Sequence, residues 1–136
     1  MLNTSKRVKE IIPSATLSID TMIKEMVANG EDIINLSVGE PDTNTPIKAS
    51  YKAIEGIVNN FTKYTNTSGI IELRKQLVRK FKIDNNLDYD IDQIIVSTGG
   101  KHSLYNAFMV LCDPGDEVIL PAPYWVSYPE QIKLTG

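Results

Sequence analysis

The fold is decided by residues 94–111, which read IIVSTGGKHSLYNAFMVL. The segment Ile94–Ser97 is short, β-branched and apolar, which is typical of a strand buried on both faces of a sheet. Thr98–Gly100 breaks this strand, and the residues that follow predict a helix over Lys101–Leu111. That helix is apolar almost all the way round, so we expect it to be buried on several sides.

Helical and strand patterns alternate along the rest of the chain. We predict a helix over Ser14–Asn29 that stops at Gly30. A second helix follows Thr45, with Thr45 as its N-cap and Pro46 in its first turn. Ile70–Phe81 is predicted to be an amphipathic surface helix, and Val126–Leu134 a further helix. Short buried strands are predicted over Ile33–Val38 and Val118–Leu120. This alternation favours an α/β fold in which helices flank an incomplete sheet.

The composition excludes several classes of protein. The 136 residues are 42% hydrophobic and 23% charged, as in an ordinary globular domain. Fourteen basic and 17 acidic residues are interspersed, so we expect no nucleic-acid or membrane partner. The sequence has no signal-peptide core and no apolar run of membrane-spanning length, which predicts a cytoplasmic protein. One histidine and the single cysteine, Cys112, predict neither a metal site nor an intramolecular disulfide.

The glycine pair after the strand is a candidate phosphate site. The first amides of a helix have no partner within the helix, and the helix dipole adds positive potential there. Gly99 and Gly100 would let a phosphate approach these amides, although the same pair also suits a plain strand-to-helix turn. A Walker A loop would need glycine at Ile95 and serine or threonine at His102, and the glycines of the dinucleotide fingerprint do not follow either.

Two further segments are weaker candidates. Gly39–Asp42 follows a predicted strand and is either a binding loop or only a turn. Trp125 lies just beyond the end of another predicted strand, where open α/β sheets bind ligands, and its ring can stack on a flat cofactor. The position alone favours a core aromatic residue instead. We expect His102 to be a polar residue of a first helical turn and Cys112 a small buried hydrophobe.

Together, the order and spacing of these segments resemble one family. The motifs that carry the resemblance are Pro13–Thr16, Leu36–Asp42, Lys63-Tyr64, Ser68–Ile70, Glu72–Arg74, Thr98–Lys101, Asp113–Val118 and Pro123–Glu130. They resemble the N-terminal part of a class I/II aminotransferase of fold type I, the pyridoxal-phosphate enzymes, and are most similar to bacterial aspartate aminotransferases. The resemblance covers essentially the whole chain.

The resemblance implies a set of cofactor-binding residues. The amides around Gly99, Gly100 and Lys101 would hold the phosphate of pyridoxal 5′-phosphate. Trp125 would stack on the pyridine ring. Tyr64 would reach the cofactor phosphate of the neighbouring subunit, so the resemblance also implies a homodimer.

The resemblance further implies a substrate site and a domain division. Gly39 would offer its amide to the α-carboxylate of the substrate, and Trp125 would touch the same side. The substrates would be an amino acid, aspartate first among them, and a 2-oxo acid. Residues 1–45 would form an N-terminal arm of the small domain, and residues 46–136 the first part of the cofactor-binding large domain.

The resemblance implies that the catalytic residues lie beyond this chain. Family members are about three times as long, and their Schiff-base lysine, the aspartate that pairs with the pyridinium nitrogen and the carboxylate-binding arginine have no counterpart here. We therefore expect an N-terminal fragment that is inactive alone, since transamination needs that lysine and aspartate. The alternatives are another α-aminotransferase, a β-eliminating lyase, or a non-catalytic phosphate-binding or assembly module.

Overall fold

The computed structural model describes residues 3–136 and divides into two compact units. The first unit joins the residues up to Glu40 with Gly99–Gly136, and the second is Pro41–Thr98. The helices are α1 (Lys6–Lys9), α2 (Ala15–Ala28), α3 (Ile47–Val58), α4 (Ile71–Asn85), a 3₁₀ helix (Ile91–Gln93), α5 (Gly99–Leu111) and α6 (Ser127–Lys133). None of these helices is both long and apolar enough to cross a membrane.

Local signals place the ends of α2 as the sequence predicts. The Ser14 hydroxyl accepts a hydrogen bond from the Leu17 amide at 3.5 Å, which caps the first turn. The helix ends at Asn29, and Gly30 follows with a φ of +88°, a conformation that glycine adopts without strain. The prediction of a helix over Ser14–Asn29 is confirmed.

The start of α3 differs from the prediction by one residue. Thr45 was expected to cap this helix, but the residue before its first turn is Pro46, and no side chain caps it. Pro46 has an extended ψ of 130° and so lies outside the helix, while its carbonyl accepts the Ala49 amide at 2.8 Å. The Thr45 cap is therefore wrong, because the proline itself makes the junction.

The second unit is organised around α4 and the segment that follows the 3₁₀ helix. Ile94 is 7% exposed, and the Arg74 side chain is buried beside this segment, with its guanidinium donating to the Ile91 carbonyl. Phe81 packs edge-to-face against Tyr89, with ring centroids 5.5 Å apart. The predicted amphipathic pattern of α4 holds only in part, because Lys75, Arg79 and Lys80 are exposed as expected but Arg74 is the buried residue.

The predicted sheet is not seen within residues 3–136. Residues 33–38, 94–97 and 118–120 have no regular secondary structure, and residues 3–136 contain no β-strand. A strand needs a hydrogen-bonded neighbour, whereas the Val96 amide donates at 3.0 Å to the carbonyl of Ser68, which lies in a loop. The strand predictions therefore stay unconfirmed.

The predicted burial of the helix after Gly100 is wrong for this chain. The helix begins two residues earlier than expected, at Gly99, and none of its residues is buried. Val110 is 82% exposed although the helix is apolar on most sides. The physical reason is that no sheet covers it, since the strands expected to do so are not paired in the described part of the chain.

We expect Gly69→Ala to destabilise the second unit. Gly69 has a φ of +100°, and a Cβ there would lie 2.7 Å from the Val96 Cγ2 atom. The backbone strain alone costs about 1–3 kcal/mol, and the steric clash adds to it. Urea-induced unfolding of the variant beside the wild type measures the loss.

A second glycine serves as the matched control. Gly56 lies inside α3, has no atom within 4 Å of a Cβ position, and does not require a positive φ. Gly56→Ala should therefore stabilise by about 0.5–1 kcal/mol. Equal stability of the two alanine variants would contradict the role given to Gly69.

Candidate functional site

The first residues of α5 are exposed at the surface. Gly99 has a φ of +78°, which turns the extended residues before it into the helix. Gly99, Gly100 and Lys101 are all exposed, and no atom lies within 4 Å of a Cβ position at either glycine. Because the first amides of a helix have no acceptor within it, this turn can receive an anionic group.

An aromatic ring lies beside the first turn of α5. The Lys101 ammonium is 5.5 Å from the centre of the Trp125 ring, within the range of a cation–π interaction. Trp125 is 47% exposed, so the reading of it as a core aromatic residue is wrong for this chain. The structure thus brings together two of the predicted site residues, Lys101 and Trp125.

The helix α6 fastens this turn through a residue that the sequence reasoning missed. The Gln131 side-chain nitrogen donates to the Lys101 carbonyl at 2.8 Å. The bond fixes the backbone of the first turn of α5 through a carbonyl. It does not involve the amides of Gly99 and Gly100. No sequence signal would have revealed it, because the two residues are 30 positions apart.

The preceding residue of α6, also missed, contacts the N-terminal segment. One Glu130 oxygen accepts the Ile12 amide at 2.9 Å, and the other accepts the Lys133 ammonium at 2.9 Å. Hydrogen bonding from Lys133, and then from the Ile12 amide, lowers the pKa of the Glu130 carboxyl from its ordinary value. The Glu130 carboxylate therefore stabilises the fold above its unfolded-state pKa, and that contribution is lost as the pH falls through the lowered pKa.

The two remaining predicted site residues, Gly39 and Tyr64, are both exposed. Gly39 belongs to the first unit, is exposed, and has open space at its Cβ position. Tyr64 belongs to the second unit, and its side chain is fully exposed. Their expected roles stay predictions. Across residues 3–136, no group of histidine, cysteine, aspartate or glutamate residues could hold a metal ion.

Comparison with known proteins identifies what the chain is similar to. Residues 31–136 match the family described as aminotransferase class I and II. The chain is 50% identical over 132 residues to an aspartate aminotransferase of Bacillus sp. (strain YM-2), covering 97% of this chain and 34% of that protein. It is 53% identical over 124 residues to a probable aspartate/prephenate aminotransferase of Rhizobium leguminosarum bv. phaseoli, covering 91% of this chain and 31% of that protein.

A solved structure shares the same chain path. The aspartate aminotransferase of Thermus thermophilus with maleate matches with a TM-score of 0.95 and 41% identity, over 100% of this chain and 36% of that one. The chain thus spans about a third of the length of the relatives it matches. The likeness supports the predicted fold class, while the sheet within it stays unconfirmed.

We expect Lys133→Met to raise the pKa of the Glu130 carboxyl toward its ordinary value. The variant removes the cation that lowers this pKa most, while the Ile12 amide remains as a donor. An NMR titration of the Glu130 side-chain carboxyl carbon measures the shift. Lys80→Met, which removes an exposed cation of α4, is the control and should leave the Glu130 titration unchanged. An unshifted titration in the Lys133 variant would contradict the assignment.

Proposed function

The chain belongs to the class I and II aminotransferases, and from this membership we propose that it is the N-terminal third of a pyridoxal-phosphate-dependent enzyme. The proposed reaction transfers an amino group between an amino acid and a 2-oxo acid. Aspartate is the proposed amino donor, because aspartate aminotransferases are prominent among the relatives that the chain matches. The observation that carries the proposal is the open first turn of α5 beside the exposed Trp125 ring.

The residues at this turn fit the cofactor. A phosphate needs several donors and close access to the backbone, and the open space at Gly99 and Gly100 provides that access. The amides of these glycines and of Lys101 would hold the phosphate, with the positive end of the α5 dipole behind them. When bound, the cofactor supplies an electron sink for the bonds at the substrate Cα atom.

The exposed aromatic and loop residues complete the proposed site. Trp125 would stack its indole on the cofactor ring, which its 47% exposure permits. Gly39 would donate its free amide to the substrate α-carboxylate, and Trp125 would border the same substrate. Tyr64 would reach the cofactor phosphate held by a partner subunit, and a fully exposed side chain suits such a contact in a homodimer.

The proton-transfer groups are proposed to lie outside these 136 residues. Lys101 is the tempting substitute for the lysine that anchors the cofactor, but its amide is proposed to bind the phosphate. Its side chain therefore starts at the phosphate end of the cofactor, opposite the aldehyde. We assign no catalytic residue to this chain, and propose that residues 1–45 belong to the small domain and residues 46–136 to the large domain.

The proposed setting is a cytoplasmic enzyme of amino-acid metabolism without nucleic-acid or membrane partners. The interspersed charges of the sequence support the absence of a polyanionic partner. The free, half-buried Cys112 suits a reducing compartment.

We expect the full-length gene product to convert aspartate and 2-oxoglutarate in the presence of pyridoxal phosphate, and the 136-residue chain alone to give no turnover. The reason is that the chain offers a phosphate site and a stacking ring without a cofactor-anchoring lysine. A coupled assay of oxaloacetate formation measures both. Activity on another amino acid would instead support a different α-aminotransferase, and elimination in place of transfer would support a β-eliminating lyase. Cofactor binding without any turnover by the full-length product would favour the non-catalytic module.

We expect Gly100→Ala to weaken binding of pyridoxal phosphate by about tenfold, because a Cβ would occupy the open space through which the phosphate reaches the amides. A hydrogen bond to a charged group contributes about 1.5–3 kcal/mol, and 1.4 kcal/mol corresponds to a factor of ten. Fluorescence of Trp125, the single tryptophan, reports binding in the full-length product if it carries no other tryptophan, and calorimetry reports it otherwise.

The control for this experiment is Gly56→Ala, another helical glycine with open space at its Cβ position. This variant should bind the cofactor as the wild type does. Unphosphorylated pyridoxal should bind wild type and Gly100→Ala alike, since it lacks the group that the turn receives. Equal affinity of both variants for pyridoxal phosphate would contradict the proposal that this turn binds the phosphate.

A further inference from the structure

We propose that Gln131 is a positioning residue for the cofactor phosphate, and that it raises the affinity for the phosphate without raising the stability of the fold. The proposal rests on the proposed function, because it takes the first turn of α5 as the phosphate site. Gln131 would act through the backbone of Lys101. Affinity and stability would then respond in opposite directions to the loss of this one side chain.

The two ends of the Gln131 side-chain amide have unequal surroundings. The nitrogen atom donates to the Lys101 carbonyl at 2.8 Å, whereas the oxygen atom is buried and has no hydrogen-bond partner within residues 3–136. The reverse orientation of the amide would set this oxygen against a carbonyl oxygen, so the chemistry of the contact requires the orientation that is observed. A buried acceptor without a donor lowers stability, because it has lost its hydrogen bonds to water.

The Lys101 carbonyl is paired even without Gln131. Lys101 lies in the first turn of α5, where α-helical geometry directs its carbonyl at the amide of Tyr105. A carbonyl oxygen has two lone pairs, so the bond from Gln131 is a second one on an acceptor that the helix already pairs. Loss of this bond therefore leaves no orphaned backbone group. Because an unpaired buried acceptor costs at least as much as one ordinary hydrogen bond contributes, Gln131 adds nothing to the net stability.

The glycine pair at the start of α5 is where the contact with Gln131 matters. Glycine has the largest backbone freedom of any residue, so Gly99 and Gly100 are the part of the turn that is hardest to keep ordered. The bond from Gln131 ties this turn to α6 before any ligand arrives. The turn is thus ordered when the chain folds, and a bound phosphate does not have to order it. Preorganisation of this kind raises affinity.

The test compares the full-length enzyme, freed of cofactor, with its Gln131→Met variant. Methionine keeps the length and flexibility of glutamine, but it has no donor and leaves no strong acceptor unpaired. The melting temperature should equal or exceed that of the wild type. The Kd for pyridoxal phosphate should rise about fivefold, the equivalent of about one ordinary hydrogen bond, and the Kd for unphosphorylated pyridoxal should not change. Scanning and titration calorimetry measure these quantities.

Amide hydrogen exchange is the second readout, and it does not depend on a ligand. The amides of Ser103, Leu104 and Tyr105 bond to the carbonyls of the first turn, so they should exchange faster in Gln131→Met. Gln131→Leu also lacks a donor, should behave alike, and serves if the methionine variant fails to fold. The matched control is Gln76→Met, the same substitution at an exposed position of α4. It should leave the affinities and the exchange unchanged.

The readouts separate the possible failures. Unchanged affinity for pyridoxal phosphate in both Gln131 variants would overturn the positioning role, as would weaker affinity without faster exchange of residues 103–105. A melting temperature below that of the wild type, or an equal loss of affinity for pyridoxal, would also overturn it, since either would show a merely structural contact. A wild-type enzyme that binds pyridoxal phosphate no more tightly than pyridoxal would instead remove the proposed phosphate site. The exchange data would still decide whether Gln131 holds the turn.

Discussion

The turn at Gly99 is the constraint on which the proposed site depends, because the chain enters α5 there and the residues of its first turn are exposed. A φ of +78° makes this turn possible, and an L-residue would be strained in the same conformation. The Lys101 carbonyl in this turn is held by Gln131 from α6. This contact fixes the first turn of α5, which is the proposed binding surface.

The two units bury little apolar surface by themselves. Ile94 is the buried hydrophobic residue of the described chain, whereas Ile119 and Val110 are largely exposed. Segments with the composition of buried strands leave their backbone groups and apolar faces uncovered when they have no hydrogen-bonded neighbour. The proposed role as one third of an enzyme is consistent with such surfaces, since the matched relatives are about three times as long.

The sequence predicted the helices better than their surroundings. The helix over Ser14–Asn29 and its stop at Gly30 depend on short-range signals, and both were predicted correctly. The predicted Thr45 cap is wrong because Pro46 forms the junction by itself. Local sequence signals distinguish poorly between two adjacent residues at the end of a helix. The position of Trp125 alone favoured a core aromatic residue, yet the exposure of its side chain depends on which elements pack against it.

What the sequence determined by itself were features that depend on residues within a few positions: the helices, the glycine turn before α5, and the ordered motifs that identified the family. What only the tertiary structure decided were the contacts between distant residues. These are Lys101 beside Trp125, Gln131 on the Lys101 carbonyl and Glu130 on the Ile12 amide. The physical reason is that periodicity and capping act over one or two helical turns, whereas a hydrogen bond across 118 residues depends on how whole elements pack.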